Sequence, residues 1–371
     1  MTVKPHPTLI PQPGILDIAA YVGGESAIPG ANRVIKLSSN ENPLGPSPRA
    51  TEAMTGALGR LAAYPDGGHA ALRRAIGEVQ GLDPARILCG NGSDECLALI
   101  AQAYAGPGDE VIHTEHGFGL YKINAQMVGA TPVQVGETDL TTDVDKILAA
   151  CTERTRIVFI ANPNNPTGTF LPRGEIARLH AGLPADVLLV IDQAYAEYLE
   201  PDENDGGLDL AMAHENVLVT RTFSKIYGLA GERIGWATGA PRLVDVLNRI
   251  RGPFNVTSSG QRAAMAAIAD HAFLARSREA NREERKRFVS AIEGLGNHGL
   301  RAIPSKANFV LVLFEGDLAA ETALDAIAEA GYAVRHLPGQ GLAQALRITI
   351  GTTNQMDEII GVLRSLCGED A

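Results

Sequence analysis

The segment Thr222-Phe223-Ser224-Lys225 follows a short β-branched run, Val217 to Thr220, and Arg233 stands shortly after it. An ammonium at the end of a strand inside an apolar sheet is disfavoured unless it is paired or deprotonated. A neutral lysine amine is a nucleophile, and carbonyl cofactors form Schiff bases with it. Taken alone, a snorkelling surface lysine is the commoner occurrence. Its neighbours in the sequence bear on the choice.

Upstream, Val187-Leu188-Leu189-Val190-Ile191-Asp192 ends an apolar strand in a carboxylate. That sets Asp192 at the carboxyl edge of the sheet, where open α/β sheets bind ligands. An aspartate there is suited to keep a pyridine nitrogen protonated, which turns a pyridoxal ring into an electron sink; capping the next helix is equally open to it. Asn162-Pro163-Asn164-Asn165-Pro166-Thr167-Gly168 follows the strand Arg156 to Ile160, so its turn reaches a carboxyl edge too. Its prolines and glycine fix the loop and aim the Asn165 amide inward.

Gly90-Asn91-Gly92-Ser93-Asp94-Glu95 joins a strand ending at Cys89 to a helix expected to begin near Asp94. Exposed N–H groups and a positive helix end make this turn a phosphate cradle. A dinucleotide fingerprint needs a glycine where Glu95 stands, and a carboxylate repels pyrophosphate, so a lone phosphate fits better than NAD.

These residues need a scaffold. From about Arg86, short β-branched runs alternate with helical patterns: Ile87 to Cys89, Glu110 to His113, Thr131 to Val135, Arg156 to Ile160, Val187 to Ile191 and Val217 to Thr220. Such alternation predicts βα units in a mostly parallel sheet. Before the first strand, Ala50, Ala53, Met54, Ala57, Leu58 and Leu61 recur at helical spacing and are expected to pack in the core. After Pro253 comes a charged, Ala-rich stretch from about Ser259 to Glu293, read as one long helix bridging two domains. A small α+β unit follows, with strands at Asn308–Phe314, Ala333–Leu337 and Leu346–Ile350, and helices at Leu318–Ala330 and Met356–Cys367. The acidic stretch Glu200 to Asp209 reads as a solvated loop.

The 371 residues, 45% hydrophobic and 20% charged, hold too much apolar material for a disordered chain and fit two domains. Lys and Arg number 32 against 43 Asp and Glu, a net charge of −11 that repels nucleic acid and anionic membranes. Cys89, Cys96, Cys151 and Cys367 are far apart, without the spacing of a zinc cluster or disulfide framework, so a reducing cytoplasm is expected. The proline-rich start, Met1 to Pro13, lacks the apolar stretch of a secretion signal, and no apolar run reaches the ~20 residues a bilayer needs.

The string Asn-Pro-x-Asn-Pro-Thr-Gly, the step Asp192-Gln193-Ala194-Tyr195 and Ser224-Lys225 followed by Arg233 resemble the fold-type I pyridoxal-phosphate aminotransferases. More closely, Leu37 to Pro46, Tyr64-Pro65-Asp66 and Leu346-Arg347-Ile348-Thr349-Ile350-Gly351 are similar to the histidinol-phosphate branch of that family, and the likeness runs from about Tyr21 to Gly351. The resemblance implies an α/β fold with two parts. A large cofactor domain over residues 44–255 has a mostly parallel sheet between helices; a small α+β domain comprises residues 1–43, as an N-terminal arm, with 256–371.

It further implies that Lys225 holds the aldehyde of pyridoxal 5'-phosphate and moves the proton. Asp192 partners the pyridine nitrogen, and Asn165 and Tyr195 the phenolate oxygen. Gly92, Ser93, Asp94, Thr222, Ser224 and Arg233 surround the phosphate. Phe118, in His116-Gly117-Phe118-Gly119-Leu120-Tyr121, takes the place of the ring-stacking aromatic, although His116-Gly117 replaces the usual Pro-Thr. Tyr64 is implied as a phosphate ligand reaching into a second subunit, which makes the protein a homodimer with shared sites.

Arg347 matches the arginine that grips the anionic end of the substrate, and a guanidinium suits carboxylate and phosphate alike. Arg335 and Tyr21 match further phosphate contacts. The implied reaction moves an amino group between L-histidinol phosphate and 2-oxoglutarate, giving imidazole acetol phosphate and glutamate, a step of histidine biosynthesis with ping-pong kinetics. Two other chemistries use much the same residues: aromatic amino-acid transamination and decarboxylation of a phosphorylated amino acid. A nucleotide- or phosphate-binding protein without covalent chemistry would leave the ordered motifs unexplained.

Overall fold

The computed structural model describes residues 11, 14–19, 23 and 34–369; Tyr21 lies outside them. A short strand β1 (Ile35–Lys36) precedes the main body. Seven strands then form one sheet: β2 (Ile87–Gly90), β3 (Glu110–Thr114), β4 (Thr131–Val135), β5 (Thr155–Ala161), β6 (Leu188–Asp192), β7 (Val217–Thr222) and β8 (Gly235–Gly239). Their order is β2-β8-β7-β6-β5-β3-β4. Only β8 pairs antiparallel, with β2 on one side and β7 on the other, so the sheet is mostly parallel as expected.

Strands β2, β3, β6 and β8 are buried at every position, because helices cover both faces. On one face Leu97 and Ile100 of helix Gly92–Tyr104 and Leu243 and Leu247 of helix Pro241–Ile250 pack on Phe159 and Val190. On the other, Ile147, Ile176 and Leu179 pack on Val158, Ile160 and Leu189.

The C-terminal unit pairs β12 (Arg335–Leu337), β13 (Leu342–Thr349), β10 (Phe309–Phe314) and β9 (Leu300–Ala302) as an antiparallel sheet in that order. Strand β11 (Tyr332–Ala333) pairs in parallel with β1 instead, so the single strand expected over 333–337 is split between two sheets. This unit has its own core, where Val310, Val312, Leu346 and Ile348 meet Ile327 and Ile359.

Three further expectations change. The long helix is two, Ser258–Ile268 and His271–Gly294, divided where the Asp270 side chain caps the second by accepting from Phe273 N at 3.2 Å. The first of these shares a core with Leu72 and Ile76 through Ala263, Ala264 and Ala267. The stripe before the first strand is broken because helix Pro48–Thr55 stops at Gly56; Ala50 and Ala57 are buried, but Leu58 and Leu61 are 50% and 75% exposed. The acidic loop is not wholly solvated: Asp205 is buried and accepts hydrogen bonds from Asn162, Gln193 and the Gly207 amide.

Candidate functional site

Parallel strands deliver their carboxyl ends to one edge, and there the predicted residues meet. Asp192 is the last residue of β6 and Thr222 of β7, and the Asn162–Gly168 loop leaves β5. Strand β8 runs the other way, so Arg233 arrives at this edge just before β8 begins. A cavity of about 270 Å³ opens between them and the C-terminal unit. Ser93, Asp94, Phe118, Asn165, Asp192, Tyr195, Thr222, Ser224, Lys225, Arg233, Arg335 and Arg347 all border it.

Asp192 forms its buried floor. Tyr121 Oη donates to Asp192 Oδ2 at 2.9 Å and Thr220 Oγ1 to Oδ1 at 3.1 Å. Burial pushes the carboxyl up to about 6, against these two donors. Asp192 makes no ion pair among the described residues. The Ala194 amide donates to it as well, and a buried carboxylate held by two hydroxyls and one amide, without a cation, suits a cationic partner from a ligand.

Lys225 reaches in from the turn after β7, its Nζ donating to the Ser39 carbonyl at 3.1 Å and lying 5.7 Å from the Tyr195 ring centre. Burial pushes this amine down to about 8, and the nearby Arg347 guanidinium pushes the same way. A sizeable fraction is therefore neutral near physiological pH, the form that attacks carbonyls and accepts protons. The Tyr195 phenol is buried, pushed up to about 12 mainly by burial, and accepts from Asn40 Nδ2 at 2.8 Å.

The other end of the cavity is an anion cradle. Helix Gly92–Tyr104 points its N-terminus into it, starting two residues earlier than expected. Gly92 has a φ of 78°, and a Cβ there would sit 2.6 Å from Arg233 Nη2. Gly235 is forced by close approach, since its Cβ would stand 2.2 Å from Ser93 N. Thr222 Oγ1 donates to Ser224 Oγ at 3.0 Å; Arg233 donates to Ser224 Oγ at 3.3 Å and to Asp94 Oδ2 at 2.9 Å. Backbone amides, two hydroxyls and a guanidinium together suit a phosphate.

Arg347, on β13, is buried; it donates to the Ser38 carbonyl at 2.6 Å and to Asn165 Oδ1. Arg335, on β12, donates to the Gly23 carbonyl at 2.6 Å. Phe118 meets Tyr121 edge-on, with ring centres 5.8 Å apart. Tyr64 is not brought into its own chain's cavity: it is 82% exposed and stacks on Phe254 at 4.6 Å.

Sequence reasoning passed over Tyr121, Asn40 and Thr220. Tyr121 stands in the segment His116 to Tyr121 and Asn40 in Leu37–Pro46, where neither has a signal of its own. The φ of 59° at Asn40 gives no signal in sequence.

The residues present fit pyridoxal 5'-phosphate. An amine with a lowered midpoint, a buried carboxylate without a protein cation and a phosphate cradle share one cavity. Among the described residues no cluster could hold a metal ion, and no helix is long and apolar enough to cross a membrane.

Comparison with known proteins adds three findings. The profile of the family described as aminotransferase class I and II matches residues 32–363. A histidinol-phosphate aminotransferase of Erythrobacter litoralis is 64% identical, covering 92% of this chain and 93% of its own, and one of Sphingopyxis alaskensis is 54% identical, covering 97% and 98%. The crystal structure of histidinol-phosphate aminotransferase from Sinorhizobium meliloti in complex with pyridoxal-5'-phosphate superposes with a TM-score of 0.83 at 29% identity, covering 91% of this chain and 92% of that one.

Proposed function

This chain belongs to the class I and II aminotransferases, and from that premise we propose how its residues serve the reaction. The enzyme uses pyridoxal 5'-phosphate to transfer an amino group between L-histidinol phosphate and 2-oxoglutarate, yielding imidazole acetol phosphate and glutamate in histidine biosynthesis. Near-complete coverage at up to 64% identity carries the substrate assignment. The convergence of Lys225 and Asp192 on one buried cavity carries the residue assignment.

The bound cofactor supplies an electron sink for the pair released when the bond between the substrate's amine-bearing carbon and its hydrogen breaks. Lys225 Nζ would accept that proton and give it back; a midpoint of about 8 lets it do both. Asp192, ionised at neutral pH, keeps the ring nitrogen cationic. Asn40 holds the Tyr195 hydroxyl in place, and Arg347, by donating to Asn165 Oδ1, turns that amide so that its NH2 is the part available to the ring. Arg347 and Arg335 give the substrate two guanidiniums for its anionic end, phosphate in one half-reaction and carboxylate in the other.

The active form is a homodimer in which Tyr64 completes the partner's phosphate cradle. Its 82% exposure and its place outside its own cavity support this. The division into a cofactor domain and a C-terminal α+β domain follows the separate cores, with helix Ser258–Ile268 kept in the first. A cytoplasmic setting fits the four free cysteines, and the net charge of −11 fits small-molecule substrates better than nucleic acid or membrane.

The test is a donor panel at fixed 2-oxoglutarate. L-Histidinol phosphate should outperform phenylalanine and tyrosine by at least about tenfold in kcat/KM. Preference for the amino acids would overturn the substrate reading, and carbon dioxide release without a 2-oxo acid would replace transamination by decarboxylation.

A further inference from the structure

Strand β13 carries Arg347 and, two residues on, Thr349, so both side chains lie on one face of the strand. Each donates to the amide oxygen of an asparagine: Arg347 to Asn165 Oδ1, and Thr349 Oγ1 to Asn40 Oδ1 at 3.1 Å. Thr349 Oγ1 in turn accepts from the Asn40 backbone N–H at 3.0 Å. The amide so held points its Nδ2 at Tyr195 Oη, 2.8 Å away. Asn40 and Thr349 are both buried, and Asn308 Nδ2 pins the Asn40 carbonyl at 3.0 Å. Tyr195 borders the cavity, and its hydroxyl donates to no group among the described residues.

We infer that Thr349 is a positioning residue: through Asn40 it commits the Tyr195 hydroxyl hydrogen to the ring oxygen of the cofactor. This role rests on the reading above, in which the cofactor lies in the cavity with Tyr195 at its ring oxygen, and deepens it. The two ends of an asparagine amide have nearly the same shape, and their surroundings decide which end faces a neighbour. With its oxygen towards Tyr195, Asn40 would take the hydroxyl hydrogen for itself. A count of hydrogens excludes that orientation. A backbone N–H can only donate, so Thr349 Oγ1 accepts there and its single hydrogen goes to Asn40 Oδ1. Nδ2 is then left for Tyr195, whose oxygen has its donor and whose own hydrogen is kept for the cavity. A donor on the ring oxygen stabilises negative charge there, and so weakens the hold on a proton beside it. One face of β13 thus aims both amides, Asn165 through Arg347 and Asn40 through Thr349.

The experiment titrates the absorbance of the bound cofactor with pH in the wild-type holoenzyme and in Thr349→Val, Thr349→Ala and Thr349→Ser. Valine keeps the shape and loses the hydroxyl, alanine loses it without crowding, and serine keeps it. The midpoint should rise by about one pH unit in the valine and alanine variants, the worth of one hydrogen bond, and return to the wild-type value with serine. Tyr195→Phe should raise it at least as far, and adding Thr349→Val to Tyr195→Phe should move it no further. Lys225, Arg347, Asp192, Asp94 and Tyr198 are the charged and titratable groups around Tyr195, and these variants alter none of them. An unmoved midpoint in the valine and alanine variants overturns the inference. A shift that persists in the Tyr195→Phe background overturns it too, because a merely structural role would act there as well. Should Tyr195→Phe alone leave the midpoint unmoved, the placement of Tyr195 at the ring oxygen falls and the relay with it, whereas failure of the relay alone leaves that shift intact.

Discussion

Replacing Lys225 by methionine should stabilise the cofactor-stripped protein while abolishing transamination. In the fold the amine's midpoint is about 8, against 10.5 for an ordinary lysine, chiefly because burial disfavours its charge. At about 1.4 kcal/mol per tenfold change in proton affinity, that gap is about 3 kcal/mol. The sign follows from the depressed midpoint. Below pH 8 the lysine is charged in both states, and the folded state carries the whole penalty. As pH rises from 8 towards 10.5 the folded amine loses its proton first, and the penalty fades. The methionine variant should therefore exceed wild type by about 2–3 kcal/mol at pH 7 and by less than about 1 kcal/mol at pH 10. Packing differences between the side chains do not vary with pH, so the change across this window isolates the charge. Urea unfolding followed through the single tryptophan, the buried Trp236, gives the readout. A constant difference at the two pH values, or a variant relatively less stable at pH 7 than at pH 10, would refute the reasoning.

Three further outcomes are expected. Tyr121→Phe removes the 2.9 Å donor to Asp192, so the carboxyl's midpoint should rise above about 6; the acid limb of the kcat profile should move to higher pH, with kcat down about tenfold at neutral pH. An unmoved acid limb counts against the role given to Asp192. Arg347→Lys loses the forked donor that reaches the Ser38 carbonyl and Asn165, and should raise KM for both substrates by more than about tenfold, with a smaller effect on kcat; a change confined to kcat contradicts anion binding by Arg347. Glu95 accepts from the Asn91 amide and from Asn255 Nδ2, holding the turn before the phosphate helix. Glu95→Ala should therefore weaken pyridoxal phosphate by about tenfold and leave pyridoxal unchanged in absorbance titrations, whereas equal weakening of both would assign Glu95 no part in the cradle.

The elements that carry chemistry were the most legible in the sequence. Parallel strands such as Val187–Ile191 are buried on both faces and so read as continuous apolar runs whose ends can be placed. Asp192, Thr222 and the Asn162–Gly168 loop then fall on one edge by topology alone. Strand β8 was not legible: Gly235-Trp236-Ala237-Thr238-Gly239 is glycine-rich because Ser93 crowds Gly235, which is a tertiary demand with no local pattern. The break at Ala269-Asp270 was masked by continuous helix formers on both sides. Tyr121 and Asn40 belong to contacts 71 and 155 residues apart in sequence, so no spacing could announce them. Leu58 and Leu61 continued a periodicity past a helix that Gly56 had ended.

The central claim is that one amine, on Lys225, holds the cofactor's aldehyde carbon. Borohydride reduction of the purified holoenzyme, followed by digestion and mass spectrometry, tests it most directly. A phosphopyridoxyl group on the peptide containing Thr222-Phe223-Ser224-Lys225 is the predicted result. The group on a different lysine, or no covalent adduct at all in protein that binds the cofactor, would contradict it.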